Sequence, residues 1–526
     1  MSSSGALKET VGWCWERRYR LDEIATEVWV NVRPGGRLHP SWFFEAKGHL
    51  AVELLLFAVI LYLLTRKSFK PRKEKPLSKK EQEELIEEWV PEPLVPDTYA
   101  NDGSKISTQL RNRKHKLQFK YDKPPVVKGK ASSPFVQVGN KKLMNLVSTN
   151  FLNLANSERV EDSCEKALNK YGCGSCGPRG FYGTIDVHLE LEKRIANFLG
   201  TEEAILYSYD ISTPASAIPA FCKSGDVIVA DAGVSYAVQS GLSLSRSKIK
   251  YFEHNNLEDL VRVLESVVEE NKKTGASAAQ RRFIVVEGLY MNYGDLAPLA
   301  EIVELKEKYQ FRLILEESFA LGVLGDSGKG SVEHHGLEVD KVDITLASLG
   351  NAIGSVGGIC AGSRRVCDHQ RLSGAGYVFS ASLPPYLAAA AIESLNILEE
   401  EGRELVDTLK EKAKYFRKHL TSALEDIPGL TVAGGESREN EISPLIHLQL
   451  DGDEDREGGD IASIEKLQEV CKYAKKDGVF LSVAKQSFLD QYDGPASIKL
   501  SLNVEHTEDD LDRAVSIIKK AMEKVL

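Results

Sequence analysis

The sequence predicts an α/β body on a mainly parallel sheet, a smaller α+β end, and one membrane-spanning helix ahead of both. Three observations carry this. Short apolar segments at 143–148, 204–209, 227–230, 249–252, 283–286, 312–316 and 344–347 alternate, for the most part, with stretches of helical spacing. Strand–helix–strand alternation covers both faces of a parallel sheet. Beyond Pro384 and Pro385 the chain turns helix-rich over 386–398 and 403–424. Strands near 446–450 and 498–502 and a final helix from Glu508 then follow. Third, residues 50–64 form the one long apolar run.

Taken in order, residues 1–41 are rich in aromatic and basic side chains (Trp13, Trp15, Arg17, Arg18, Tyr19, Arg20) and carry no secretory cleavage pattern. The apolar run falls short of the roughly 20 residues that span a bilayer. Trp42, Phe43 and Phe44 on one side and Thr65 on the other extend it to spanning length, 42–65. A buried core helix reads similarly, but Arg66, Lys67, Lys70, Arg72, Lys73 and Lys75 follow at once, and a basic flank marks the cytosolic side. The expectation is a single-pass anchor with 1–41 lumenal and the body cytosolic. Glu53 within it is a charge tolerated near the interface or against a partner helix. Ser78-Lys-Lys-Glu81 reads as a capping box opening a helix through Trp89, which Pro91 ends. Pro91, Pro93 and Pro96 make a stiff connector, and the charged stretch to Lys123 makes an arm over the body. The expected divisions are therefore a linker, helix and arm over 66–142, a large domain over 143–385 and a small one over 386–526.

At 526 residues the chain holds more than one domain, and its net charge of -10 argues against broad nucleic-acid binding. Eight cysteines without metal-ligand pairing fit a reducing compartment. Cys173 and Cys176 spell Cys-x-x-Cys but lack a thioredoxin-like context or a second pair. Residues 325–331 resemble the end of a P-loop, yet Val323 stands where its first glycine belongs and Gly330 where a helix should begin. The acidic run 451–460 resembles an EF-hand opening but has Arg456 and Ala462 at the glycine and bidentate positions, so it reads as a solvated loop. His334-His335 has no partner ligands at useful spacing, and no metal is expected.

The densest glycine stretch runs from Tyr171 to Glu192, with Gly172, Gly174, Gly177, Gly180 and Gly183 ahead of a helical pattern from His188. Such a loop is a phosphate cradle, a close contact with another chain, or a structural connection between helices; neither nucleotide fingerprint fits it.

Several stretches together resemble the α-oxoamine synthases, fold-type I pyridoxal-phosphate enzymes that condense an amino acid with an acyl-CoA and release carbon dioxide. They are the glycine-rich stretch, Asn150-Phe-Leu152, Glu287-Gly288 with Pro298-Leu299, Glu316-Glu-Ser-Phe-Ala-Leu-Gly-Val-Leu-Gly325, Gly354-Ser-Val-Gly-Gly358 and Phe379-Ser-Ala-Ser-Leu-Pro-Pro385. Gly174-Ser-Cys-Gly-Pro-Arg-Gly-Phe-Tyr-Gly-Thr184, Tyr377–Pro385 and the anchor narrow the likeness to the first-subunit family of eukaryotic serine palmitoyltransferases.

The departures from that pattern matter most. The lysine that holds the cofactor as a Schiff base in active relatives falls on Asn351, whose amide cannot form one. Their aspartate against the pyridinium nitrogen falls on Glu316, the histidine three residues on falls on Phe319, and the ring-stacking imidazole on Ser235. A glycine of the phosphate cradle falls on Asp210, while Ser348 keeps a hydroxyl on the phosphate side. The resemblance thus implies a chain with no working site that completes its partner's. Ser380 and Ser382 point toward the partner's cofactor phosphate, and Cys176, Arg179 and Tyr182 line the same junction or simply pack there. Pyridoxal phosphate then sits on the lysine of a catalytic second subunit. The implied complex lies at the endoplasmic reticulum membrane, joined by a small activating subunit and Orm-type regulators, with Glu53 as a candidate contact. It condenses L-serine with palmitoyl-CoA to 3-ketosphinganine. The alternatives are an autonomous pyridoxal enzyme with a displaced lysine (Lys341 is nearest) and a membrane-tethered scaffold.

Overall fold

The computed structural model describes residues 54–63, 65, 78–88, 125–275, 280–434, 438–451, 459–484, 487, 489–491 and 495–526. The segment 1–41, Glu53 and most of the basic linker lie outside these. The chain divides into two units, Met1–Asp97 and Thr98–Leu526.

In the first unit, 54–63 is helical and its apolar side chains, from Leu54 to Leu63, are exposed. A second helix, Lys79–Glu88, starts directly after Ser78, as the capping-box pattern requires. Among the described residues no helix is long and apolar enough to cross a membrane.

The second unit is organised by a seven-stranded sheet of β4 (Glu203–Tyr207), β5 (Val227–Asp231), β6 (Lys248–Phe252), β7 (Arg282–Glu287), β8 (Arg312–Glu316), β9 (Ile344–Ser348) and β10 (Gly358–Gly362), in the order 4-10-9-8-7-5-6. The five strands from β9 to β6 are mutually parallel, and β10 runs antiparallel to both its neighbours. The sheet is therefore mixed. β10 escaped the pattern reading because it is five residues bounded by glycine with no alternation. Strands β5 and β9 are buried along their whole length, and β7 from Phe283 onward, which explains their continuous apolar runs.

The segment expected as the first strand of this sheet lies elsewhere. β3 (Lys141–Asn145) pairs with β2 (Phe135–Val138), β2 pairs with β1 (Val127–Lys128), and β3 also runs parallel to β13 (Val479–Phe480). Leu143, Val136 and Val138 form a separate small core there. Residues ahead of 143 and residues near 480 thus belong to one sheet, because an apolar strand does not state which sheet it joins.

Helix α1 (Glu158–Tyr171), the glycine-rich loop and α2 (Asp186–Leu199) lead into β4. Next come α3 (Ser212–Phe221), α4 (Tyr236–Ser245), α5 (Leu257–Thr274), α6 (Leu299–Tyr309) and α7 (Arg364–Ser373). The two helices expected after Pro385 are one, α8 (Pro385–Leu424), 40 residues long. Gly402 does not break it. A glycine costs about 1 kcal/mol relative to alanine there, but a Cβ at this buried position would meet Ser327 O at 3.1 Å. The small domain stacks α9 (Gly459–Asp477) and α10 (Glu508–Val525) on an antiparallel sheet of β11 (Leu430–Val432), β12 (Leu445–Leu450), β15 (Ala496–Ser501) and β14 (Ser482–Val483).

Candidate functional site

Strands β5, β7, β8 and β9 end on one edge of the sheet, the edge outside which open α/β folds place ligands. The loops leaving it carry Ser235, Gly288, Ser318 and Asn351, and the turn after β4 brings Asp210 there too. Asn351 is held at both ends of its amide. Its Nδ2 donates to Ser318 O at 2.7 Å, and Thr149 Oγ1 donates to its Oδ1 at 2.7 Å. Lys341, in the short turn Val339–Lys341, precedes β9 and so lies at the opposite edge, where it pairs with Glu307 at 2.8 Å. It is not a displaced cofactor lysine.

Glu316 and Glu287 end β8 and β7 as a register pair, and both are buried. Glu316 accepts from the Ser318 amide and hydroxyl, and the Ser348 amide donates to the same hydroxyl at 2.8 Å, tying the ends of β8 and β9 together. Glu287 accepts from Ser235 N at 2.6 Å and from Met291 N at 3.2 Å. Burial pushes Glu287 up to about 7 against those two amide donors. Burial, and then the neighbouring Glu287, pushes Glu316 well above the usual carboxylate range. Ser235 contributes its backbone, and its short side chain supplies no ring for stacking. Phe319 turns into the core, edge-on to Phe151 at 6.4 Å between centroids.

On the phosphate side, the Ser348 hydroxyl donates to Asp210 Oδ2 at 3.3 Å and accepts from Gly350 N at 2.9 Å. These residues do not fit pyridoxal phosphate. The donor a phosphate would need is committed to a carboxylate that repels it, the ring has no stacking partner, and no amine stands at Asn351. Thr149, Ser318 and Glu287 belong to this constellation and were not anticipated as site residues.

A second constellation forms where the glycine-rich loop meets the segment after α7. Pro178 and Ala381 form a β-bridge, and Ser382 N and Oγ both donate to Gly177 O, at 2.9 and 3.0 Å. Ser175 Oγ donates to Ser382 O at 3.3 Å, and Ser208 Oγ donates to Ala381 O. The hydroxyl of Ser382 is thus spent within the chain, while half-buried Ser380 reaches only its neighbour's carbonyl. The loop is tight because it contains glycine. A Cβ on Gly183 would stand 1.9 Å from Gly177 O.

Arg179 is buried and bidentate to Glu192, at 2.8 and 3.0 Å, and its Nε donates to Thr184 Oγ1. Glu192 Oε1 also accepts from Leu206 N at 2.8 Å, which pins the loop to β4. Cys176 and Tyr182 are exposed, each with positive φ. The structure therefore brings Cys176, Tyr182, Ser380 and Ser382 together and sets Arg179 beneath them.

The P-loop-like segment is occupied from within. Glu333 Oε2 accepts from Ser327 N and Lys329 N at 3.0 and 3.1 Å, which leaves those amides nothing for a phosphate. Among the described residues no three His, Cys, Asp or Glu side chains converge as a metal site.

Residues 141–518 match the model of the aminotransferase class I and II family. Over 480 residues the chain is 47% identical to long chain base biosynthesis protein 1c of Oryza sativa subsp. japonica, covering 91% of this chain and 92% of the relative. It is 40% identical to serine palmitoyltransferase 1 of Dictyostelium discoideum, covering 91% and 94%. The chain belongs to the serine palmitoyltransferase 1 family. A solved structure titled serine palmitoyltransferase from S. paucimobilis superposes with a TM-score of 0.67 at 23% identity, covering 80% of this chain and 98% of that one. That likeness establishes the fold-type I architecture.

Proposed function

We propose that this chain is the non-catalytic, required subunit of serine palmitoyltransferase. The complex condenses L-serine with palmitoyl-CoA to 3-ketosphinganine, releasing carbon dioxide and CoA, the first step of sphingolipid synthesis. One observation carries the reading: Asn351 stands where an amine is needed and is locked by Ser318 and Thr149, while the fold around it is kept. Pyridoxal phosphate, held by the lysine of the second subunit, supplies the electron sink that makes serine's α-carbon reactive. This chain contributes the wall across the junction. There the exposed Cys176 and Tyr182 face outward, and Ser380 is the hydroxyl left for the partner's phosphate side.

The apolar run 42–65 serves in this reading as a single-pass anchor in the endoplasmic reticulum membrane. The helix over 54–63, apolar on every side and exposed, supports it. An anchor places the complex beside an acyl substrate that partitions into lipid. It also offers Glu53 and its surroundings to a small activating subunit and to Orm-type regulators.

The test is reconstitution. This chain alone yields no 3-ketosphinganine from L-serine and palmitoyl-CoA, and a lysine-bearing homologue gains activity when the chain is added. Turnover by the chain alone, or indifference of the homologue to it, would remove the proposal.

A further inference from the structure

A buried guanidinium on α8 is only partly used. Arg417 is 4% exposed, and its Nη1 donates to Ala433 O at 2.5 Å. Its Nε and Nη2 have no hydrogen-bond partner. Glu441 and Asp295 act on it only through their fields, without a hydrogen bond. Burial pulls the guanidinium down to about 10, which leaves it charged at neutral pH. Buried charges in proteins are paired or hydrogen-bonded, so two empty donors on a buried cation call for an acceptor.

The two empty donors form a pair. The Nε and Nη2 hydrogens leave one edge of the planar guanidinium side by side, the fork that receives both oxygens of a carboxylate. The hydrogen bond from Nη1 to Ala433 holds the group from its other side. Asn440 Nδ2 lies close by: it and Arg417 Nη1 stand 3.7 and 3.6 Å from where a Cβ on Gly434 would be. Asp295 cannot fill the fork, because its carboxylate is committed to His254 and Asn255. Its field and that of Glu441 disfavour a phosphate dianion, and the burial of Arg417 admits only a narrow head group. The place also bears on the sheet edge. Asn440 Oδ1 accepts from Leu296 N at 3.0 Å, and the turn closed by the Leu289–Leu296 bridge donates Met291 N to Glu287.

We infer that Arg417 is the receptor of an anion site between α8 and the turn after β7, and that its free fork takes the carboxylate of a small monocarboxylic acid. Through Asn440 an occupied fork ties α8 to the end of β7, so the ligand stabilises the seating of the small domain on the sheet. The site does not depend on the subunit role.

The test uses the full-length chain in detergent at fixed pH and ionic strength, with acetate replacing chloride. Binding is read by NMR titration of isotope-labelled acetate and folding by Tm. The parent binds acetate and its Tm rises with acetate concentration. Arg417→Met binds about tenfold more weakly or worse, and its Tm does not respond. In acetate-free buffer its Tm is not lower than the parent's, because the variant removes an unpaired buried charge. Arg417→Lys keeps the charge without the fork and loses the response as well. A parent that does not respond to acetate overturns the inference, and so does an equal response in Arg417→Met. A response to inorganic phosphate but not to acetate overturns the carboxylate assignment. If Arg417→Met, and with it Glu441→Gln or Glu436→Gln, lowers Tm in acetate-free buffer, the fork is filled from within the chain and the site fails.

Discussion

Asn351 is the residue on which the chemistry turns, yet it does not act alone. Asn351→Lys supplies an amine but leaves Asp210 on the phosphate side, Phe319 in the core, Ser235 without a ring and Glu316 buried beside Glu287. The expected outcome is no 3-ketosphinganine from the variant alone. The buried carboxylates make a second prediction. Glu287 has a folded pKa of about 7, above its unfolded value. Its neutral form therefore suits the fold, and stability is fully present below the unfolded pKa and lost as pH rises from there through about 7. Glu287→Gln removes that dependence. Relative to the parent, its Tm is higher at pH 8 than at pH 5, a swing of about 2–3 kcal/mol at most. Arg179 tests the loop's base. Arg179→Met strands Glu192 in the interior and costs about 3–5 kcal/mol in denaturant unfolding.

Among the elements, the glycine-rich loop is the most exacting. Gly183→Ala forces its own backbone away from Gly177 O, which a Cβ would approach to 1.9 Å, and the hydrogen bonds of Ser382 to Gly177 go with it. The expected result is activity lost from the reconstituted complex while the separate chain keeps a cooperative melt.

The loop's glycine density was legible in the sequence, but its role was not. A phosphate cradle, a chain contact and a structural connection require the same freedom of backbone, and the bridge to Ala381 shows only that the loop is tied to a distant segment of its own chain. Most strands of the main sheet were legible too, because burial on both faces makes them continuous apolar runs. Strand β3 was assigned to the wrong sheet and α8 was split at Gly402, since partners distant in sequence decide both. The same holds for the site. The loss of an amine at Asn351 was visible against the family pattern, but Thr149 lies 202 residues away and could not be linked to it before the fold was known.

For the whole molecule, the proposed anchor and the folded body fall in different units. The body from Thr98 onward contains the large and small domains, so deletion of residues 1–97 leaves a folded protein with an unchanged melting transition. The full chain floats with vesicles and the truncated chain does not. The complete body explains why a chain without fitting chemistry retains this fold.

The most direct measurement is borohydride trapping of the cofactor. The chain is treated with pyridoxal phosphate and borohydride, first alone and then in its complex from native membranes, and the adduct is mapped by peptide mass. The account predicts no stoichiometric adduct on the chain alone, and one in the complex that maps to a lysine of another polypeptide. A stoichiometric adduct on a specific lysine of this chain would contradict it and return the active site to this subunit.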